Sequence, residues 1–181
     1  ADSIMKVYDT RVGRKVYDGN GVFPDVYVEP VKYSPVTISL LSKNLFFDYA
    51  NAFKKVRPNM PPGIAFKISE ADYTQFVNSL ANKDYSYTSK TEQLLTDLRQ
   101  EAEKENKIAA VKADIEMLKT KMIGAKKTDL INHKDEIKQV LESHIITRYY
   151  YEKGKIEQAF QYDKEIARAK ALFANQNQML A

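Results

Sequence analysis

The chain has 181 residues, 44% of them apolar and 29% charged, with twelve Tyr, eight Phe and no Cys. This size allows one ordinary domain or two small ones, the apolar share excludes disorder throughout, and the lack of Cys excludes disulfides, thiol nucleophiles and thiolate metal sites. Lys and Arg number 28 against 24 Asp and Glu, but the signs alternate along the chain, so no basic block points to nucleic acid.

The first residues, Ala1-Asp2-Ser3-Ile4, have neither the basic start nor the apolar run of a secretory signal. No Met precedes them, so the chain is expected to be a processed product or a segment. Residues 1–33 read as strands and turns. Asp18-Gly19-Asn20-Gly21 is turn chemistry, because Asp-Gly and Asn-Gly tolerate positive φ. The flanking runs Lys15-Val16-Tyr17 and Val26-Tyr27-Val28 have strand character, which predicts a hairpin joining them. Pro24 donates no ladder hydrogen bond. The few apolar positions here, mainly valines, cannot close an independent core, so these strands need a partner.

Ser34-Pro35 supplies a cap and a first-turn proline, and Ile38, Leu41, Leu45, Tyr49, Phe53 and Val56 recur at helical spacing to about Arg57. One helix is predicted there, ended by Pro58, Pro61 and Pro62. Ile64, Phe66 and Ile68 alternate as a short extended segment. Ser69 caps a second helix that buries Tyr73, Phe76, Val77 and Leu80 and stops at Asn82-Lys83-Asp84.

Ser89-Lys90-Thr91-Glu92 is a capping box, and Leu94, Leu98, Ile108, Val111, Ile115, Leu118 and Met122 continue the period. This predicts one long helix whose charged middle, Arg99 to Lys107, lies in solvent or against another chain, with Gly124 ending or kinking it. A second long helix from about Thr128 carries Leu130, Ile137, Leu141, Ile145 and Tyr149 on one face. The two are expected to pair as an antiparallel hairpin. Within Arg148-Tyr149-Tyr150-Tyr151 at most two rings share one core, and Gly154 is a candidate helix break. A last helix starts near Asp163 and fades by Asn175.

The search for chemistry is largely negative. His133 and His144 lie about three turns apart, roughly 16 Å, too far to share a metal. Asp129, His133 and Glu136 are the nearest approach to a ligand set, a pattern any charged helix produces by chance. There is no Gly-x-Ser-x-Gly turn for a triad. Gly19-x-Gly21 is followed by Pro24 and a strand where a phosphate loop needs a helix N-terminus. Tyr8, Tyr17, Tyr27 and Tyr33 among Lys6, Arg11, Arg14, Lys15 and Lys32 fit a half-buried strand surface better than a base-stacking platform. No catalytic, cofactor-binding or metal-binding residue is assigned, and no cofactor is expected. No stretch of eighteen apolar residues exists to cross a bilayer as a helix, and no amphipathic stretch suits membrane insertion.

Gly13-Arg14-Lys15-Val16-Tyr17-Asp18-Gly19-Asn20-Gly21-Val22-Phe23-Pro24-Asp25-Val26 resembles the Gly-Arg to Pro-Asp segment near the end of the catalytic domain in C-terminal processing peptidases, also called tail-specific proteases. Ser39-Leu40-Leu41-Ser42-Lys43-Asn44-Leu45-Phe46-Phe47-Asp48-Tyr49-Ala50 and Arg148-Tyr149-Tyr150-Tyr151-Glu152-Lys153-Gly154-Lys155-Ile156-Glu157 resemble the helical C-terminal extension of the Bacteroidetes-type members. The resemblance implies a serine endopeptidase with a Ser/Lys dyad, a PDZ domain and a periplasmic or cell-envelope parent. It places the nucleophilic Ser and the general-base Lys upstream of Ala1, and Lys15 is not that base.

The expected architecture is α+β and mainly α. Residues 1–33 form a strand segment from the end of the catalytic domain, 34–87 a helix-loop-helix linker region, and 88–181 a long helical hairpin with a C-terminal helix. The expected function is that of a noncatalytic C-terminal region serving assembly, adaptor docking or substrate access. Its expected partners are the parent catalytic and PDZ domains, a homo-oligomer or adaptor protein, and protein substrates, with no nucleic acid. The alternative is a free-standing helical adaptor or interaction protein.

Overall fold

The computed structural model of the chain describes residues 6–11, 13, 15–17 and 26–174, which fall into two compact units, Ala1–Val31 and Lys32–Ala181. In the first, β1 (Val7–Asp9) and β2 (Lys15–Tyr17) pair antiparallel, with Val7 opposite Tyr17 and Asp9 opposite Lys15. The N-terminal hairpin is therefore present, but the partner of Lys15-Val16-Tyr17 is Val7-Tyr8-Asp9. Val26-Tyr27-Val28 belongs to no strand, and the Asp18–Asp25 turn lies outside the described residues. Gly13 enables the observed turn: its φ of +80° is a conformation glycine adopts without strain, and its N–H donates to the Thr10 carbonyl at 2.9 Å.

The second unit is helical. It contains α1 (Pro35–Ser42), α2 (Leu45–Val56), a 3₁₀ turn (Gly63–Ala65), α3 (Glu70–Ser79), α4 (Lys90–Lys104), α5 (Ile108–Lys126), α6 (Asp129–Asn132), α7 (Lys134–Ala159) and α8 (Lys164–Ala174). The predicted caps all form: the side chains of Ser34, Ser69 and Ser89 accept from the N–H groups of Thr37, Asp72 and Glu92, and Ser89 with Glu92 completes a reciprocal capping box. Each satisfies helix-terminal donors with residues three apart, which is why short-range spacing reveals them.

Two predicted helices are instead broken, both at asparagine. Asn44, at φ 57°, divides Pro35–Arg57 into α1 and α2. Asn106, also at φ 57°, ends α4 in a Schellman turn: its N–H donates to the Glu103 carbonyl at 3.1 Å, and Lys107 N–H reaches back to Ala102 at 2.8 Å. The charged stretch from Arg99 to Lys107 is thus the tip of a hairpin, not the middle of one helix. The long antiparallel hairpin is made by α4 and α5, while α7 packs against α2 and the 3₁₀ turn. Gly124 lies inside α5, which runs on to Lys126. Ile64 belongs to the 3₁₀ turn and is exposed, leaving only Phe66 and Ile68 of that alternation buried.

The core gathers Val36, Leu40, Phe46 and Phe53 from α1 and α2, Phe66 and Ile68 from the connecting loop, Tyr73, Phe76 and Leu80 from α3 and its end, and Ile137, Leu141, Ile145 and Ile146 from α7. Phe46 stacks on Phe76 at 5.4 Å between ring centroids, and Tyr49 meets Phe76 edge-on at 5.2 Å. Predicted core residues of α7 bury as the helical period requires. Those of the α4–α5 hairpin mostly do not, since only Ala102 and Ile115 are buried there.

The interruption of α7 falls at Tyr151, whose φ of 55° and ψ of −149° lie where only glycine is comfortable; Gly154 is not the break. Tyr149 and Tyr150 donate their hydroxyls to the carbonyls of Arg57 and Met60, each at 2.5 Å, so two adjacent rings hold the proline loop. The Tyr151 ring is 76% exposed. Tyr151→Gly is therefore expected to stabilise the chain by about 1 kcal/mol, the relieved strain exceeding glycine's unfolded-state entropy. A lower melting temperature in the variant would show that the ring does more than the conformation suggests.

Candidate functional site

Glu142 is the most deeply placed charged side chain of the helical unit, at 1% exposure on α7. One carboxylate oxygen accepts the Ile68 N–H at 2.9 Å; the other accepts the Tyr162 hydroxyl at 2.5 Å and the Gln158 amide at 3.4 Å. Burial, followed by that hydrogen bond to Glu142, pushes the Tyr162 hydroxyl pKa up. Lys67 lies 3.7 Å over the Tyr162 ring and also bonds its hydroxyl. One carboxylate thereby ties together the loop before α3, the helix α7 and the turn before α8. Gln161 adds a bond to the Gly63 carbonyl at 3.2 Å.

Two further carboxylates fix helix starts. Glu136 of α7 accepts the Ser34 N–H at 2.9 Å and the Ser34 hydroxyl at 2.7 Å, fastening the beginning of α1 to α7. Burial alone would raise the Glu136 carboxyl pKa, but hydrogen bonds from Thr37 and Ser34 bring it below its ordinary value. Asp72 meets the Arg57 guanidinium at 2.5 Å and the Ser69 hydroxyl at 2.6 Å; the Arg57 hydrogen bond, opposed by burial and aided by Ser69, holds it low. His144 stacks on Phe46 at 5.6 Å, and burial, then the charges of Arg148 and Lys155, push its imidazole down.

These shifts fix the sign of the pH dependence. Each of the three groups binds a proton less readily folded than unfolded. The His144 contribution is complete above its unfolded pKa of about 6.5 and is lost as pH falls below it; those of Asp72 and Glu136 are lost only below about pH 4. The urea midpoint is expected to fall between pH 7 and 5, and His144→Phe, which keeps a ring against Phe46, is expected to flatten that step while leaving the acid limb. An undiminished step in the variant would assign it to another group.

The α4–α5 hairpin packs chiefly on itself. Arg99 meets Glu116 at 3.6 Å near mid-length and Lys126 meets Glu92 at 2.6 Å at the base, which fixes an antiparallel register. One side is a cleft of about 310 Å³ lined by Glu92, Leu95, Thr96, Arg99, Ile115 and Lys119. On the other side Leu94, Leu98 and Leu118 stand about half exposed. The base is clasped by Tyr87: Lys126 donates to its carbonyl at 2.6 Å and lies 4.3 Å over its ring, while its hydroxyl bonds Asp129. Ser39 bonds the carbonyls of Tyr85 and Ser86 at 2.8 and 3.1 Å, joining that segment to α1.

Residues weighed earlier for chemistry are dispersed. His133 stands just before α7 without a side-chain capping bond while His144 stacks in the core, and Asp129 and Glu136 serve Tyr87 and Ser34. Among the described residues no cluster of three or more His, Asp or Glu is arranged to hold a metal, and no helix is long and apolar enough to cross a membrane. Sequence reasoning missed Glu142. The available signal was its position three and four residues before Ile145 and Ile146, on the border of the apolar face of α7.

Buried carboxylates that tie helices to loops, together with a hairpin that leaves Leu94, Leu98 and Leu118 half-exposed, define a helical domain with a packed body and one arm. Over residues 36–173 the chain matches the family described as "Probable PDZ-protease, C-terminal helical domain", and it belongs to that family. The match contains Ser39–Ala50 and Arg148–Glu157, which sit together in the fold: Arg148 lies 4.1 Å over the Phe47 ring, and Lys54 bonds the Arg148 carbonyl. Comparisons with curated proteins and with solved structures found no match.

Proposed function

We propose that this chain is the noncatalytic C-terminal region of a Ser/Lys serine endopeptidase that processes protein C-termini at the cell envelope. Residues 1–33 supply strands to the catalytic domain, and the helical module serves assembly, adaptor docking or substrate access. The observation that carries the reading is a coincidence of boundaries: the family match begins at residue 36, just after the compact unit ending at Val31, and that unit carries the peptidase-like Gly-Arg to Pro-Asp segment. The dyad residues and the PDZ domain belong to the parent, and no catalytic role falls to this chain.

In the parent protease, replacing residues 90–126 by a short Gly-Ser linker tests the role of the module. Cleavage of a folded protein substrate is expected to fall at least tenfold while cleavage of a short unstructured peptide stays within about twofold, since the catalytic residues are untouched. Equal rates on both substrates would overturn the role. An upstream reading frame without a Ser and a downstream Gly-flanked Lys would overturn the peptidase assignment.

A further inference from the structure

The side of the α4–α5 hairpin away from the cleft is a candidate contact surface. On α4, Glu92, Thr96 and Arg99 line the cleft side, and Ala102 faces α5; at 100° per residue Leu94 and Leu98 then fall on the opposite side. On α5, Ile115, Glu116 and Lys119 line the cleft; at 100° per residue Leu118 is turned about 60° beyond Ile115 to the other side, while Val111 and Met122 stay within about 40° of Ile115, half-buried in the seam against α4. The Arg99–Glu116 and Glu92–Lys126 pairs set the register, which brings Leu98 level with Leu118 and Leu94 level with Met122. The apolar side chains left half-exposed on that side are Leu94, Leu98 and Leu118.

Charge selects what can cover it. Residues 90–105 carry five acids (Glu92, Asp97, Glu101, Glu103, Glu105) against three bases; residues 107–127 carry six bases (Lys107, Lys112, Lys119, Lys121, Lys126, Lys127) against two acids. Glu92, Arg99, Glu116 and Lys119 line the cleft, so the charges flanking the exposed leucines are Lys90, Asp97, Glu101 and Glu105 on the α4 side and Lys107, Asp114 and Lys121 on the α5 side, net acidic against net basic. A second copy turned by a two-fold axis parallel to the helices lays its α5 on α4 and its α4 on α5, acid on base in both halves. The other two-fold stacking sets α4 on α4, acids against acids. The favoured arrangement also makes every neighbouring helix antiparallel, the geometry of a four-helix bundle.

We infer that the α4–α5 hairpin pairs with the hairpin of a second copy of this chain, α4 against α5, through Leu94, Leu98 and Leu118. The inference rests on the module's proposed role in assembly and names the surface for it. Two helices side by side present a face about 25 Å long and about 20 Å wide, on the order of 1,000 Å² buried for the pair. That is the lower limit for a specific interface, so association in the micromolar range is expected.

The full chain, analysed by sedimentation between about 1 and 200 μM, is expected to shift from monomer to dimer. Leu98→Glu and Leu118→Glu, both at exposed positions, are expected to weaken the dimer at least tenfold with the thermal melt unchanged. The chain has no Cys, so introduced thiols report geometry directly: a mixture of Leu98→Cys and Leu118→Cys chains is expected to form the mixed disulfide in excess over either homodimer. A monomer throughout the range overturns the inference, as does a dimer indifferent to both glutamates or a Leu98→Cys homodimer in excess. None of these results bears on the peptidase assignment, which parent activity decides separately.

Discussion

Glu142→Ala is expected to lower the unfolding free energy by about 3–5 kcal/mol, the largest single-residue loss in the chain's polar framework. The carboxylate serves three donors from two other segments, and the Ile68 N–H among them is buried. Removing it orphans that amide and leaves a cavity on the α7 side of the core, two penalties that add. The Tyr162 hydroxyl is part-buried and keeps Lys67 nearby, so its loss is the smaller share. Glu142→Gln retains an acceptor oxygen for one donor but turns an NH₂ toward the other, and is expected to lose about half as much. Urea denaturation checks the order, and hydrogen exchange at Ile68 checks the cause. A loss below about 1 kcal/mol in the alanine variant would show that the network ties nothing together.

Gly154→Ala is the second large effect, expected at about 2–3 kcal/mol despite adding one methyl to a helical residue. A Cβ at Gly154 would stand 2.3 Å from the Tyr150 Cβ and 2.9 Å from the Ile146 Cγ2. The Tyr150 Cβ is fixed to the backbone, and Ile146 is fully buried, so its χ1 has no room to turn the methyl away. The reason for the tight fit is the loop: a Cβ on Gly63 would lie 2.6 Å from the Gly154 carbonyl oxygen, so the two backbones touch where α7 resumes after Tyr151. Gly124→Ala provides the control. Nothing lies within 4 Å of the position its Cβ would take in α5, so that substitution is expected to stabilise by about 0.5–1 kcal/mol through helix propensity. Thermal melts of the two alanine variants should move in opposite directions, and a shared direction would refute the packing argument.

Much of the helical unit was legible because its signals are local. Ser34, Ser69 and Ser89 cap through residues three positions away, and Ile137, Leu141 and Ile145 bury on one face because the helix repeats every 3.6 residues. The segments resembling the peptidase extension were legible for a related reason: Ser39–Ala50 and Arg148–Glu157 meet where Arg148 lies 4.1 Å over the Phe47 ring, and a packed contact constrains the residues on both sides of it.

The breaks and the buried carboxylate were not legible in that way. Asn106 could have been read as the end of a Schellman turn, yet Leu94 and Ile108, fourteen residues apart, stay within about 40° of one helical phase across it, so periodicity alone joined two helices into one and mispaired the hairpin. The strand partner was mistaken similarly, since Gly13 and the Asp18 to Gly21 run both offer turns and only pairing distinguishes them.

The sequence by itself determined where helices start, which faces of α2, α3 and α7 are apolar, and the family to which the helical region belongs. Tertiary structure decided the strained Tyr151, the Gly63–Gly154 contact and the burial of Glu142. The difference is one of range. Caps and periodic faces are stabilised by residues within a turn or two, whereas a strained backbone or a buried charge is unfavourable locally and persists only because segments 74 to 94 residues apart, such as Ile68 with Glu142 and Lys54 with Arg148, hold it in place.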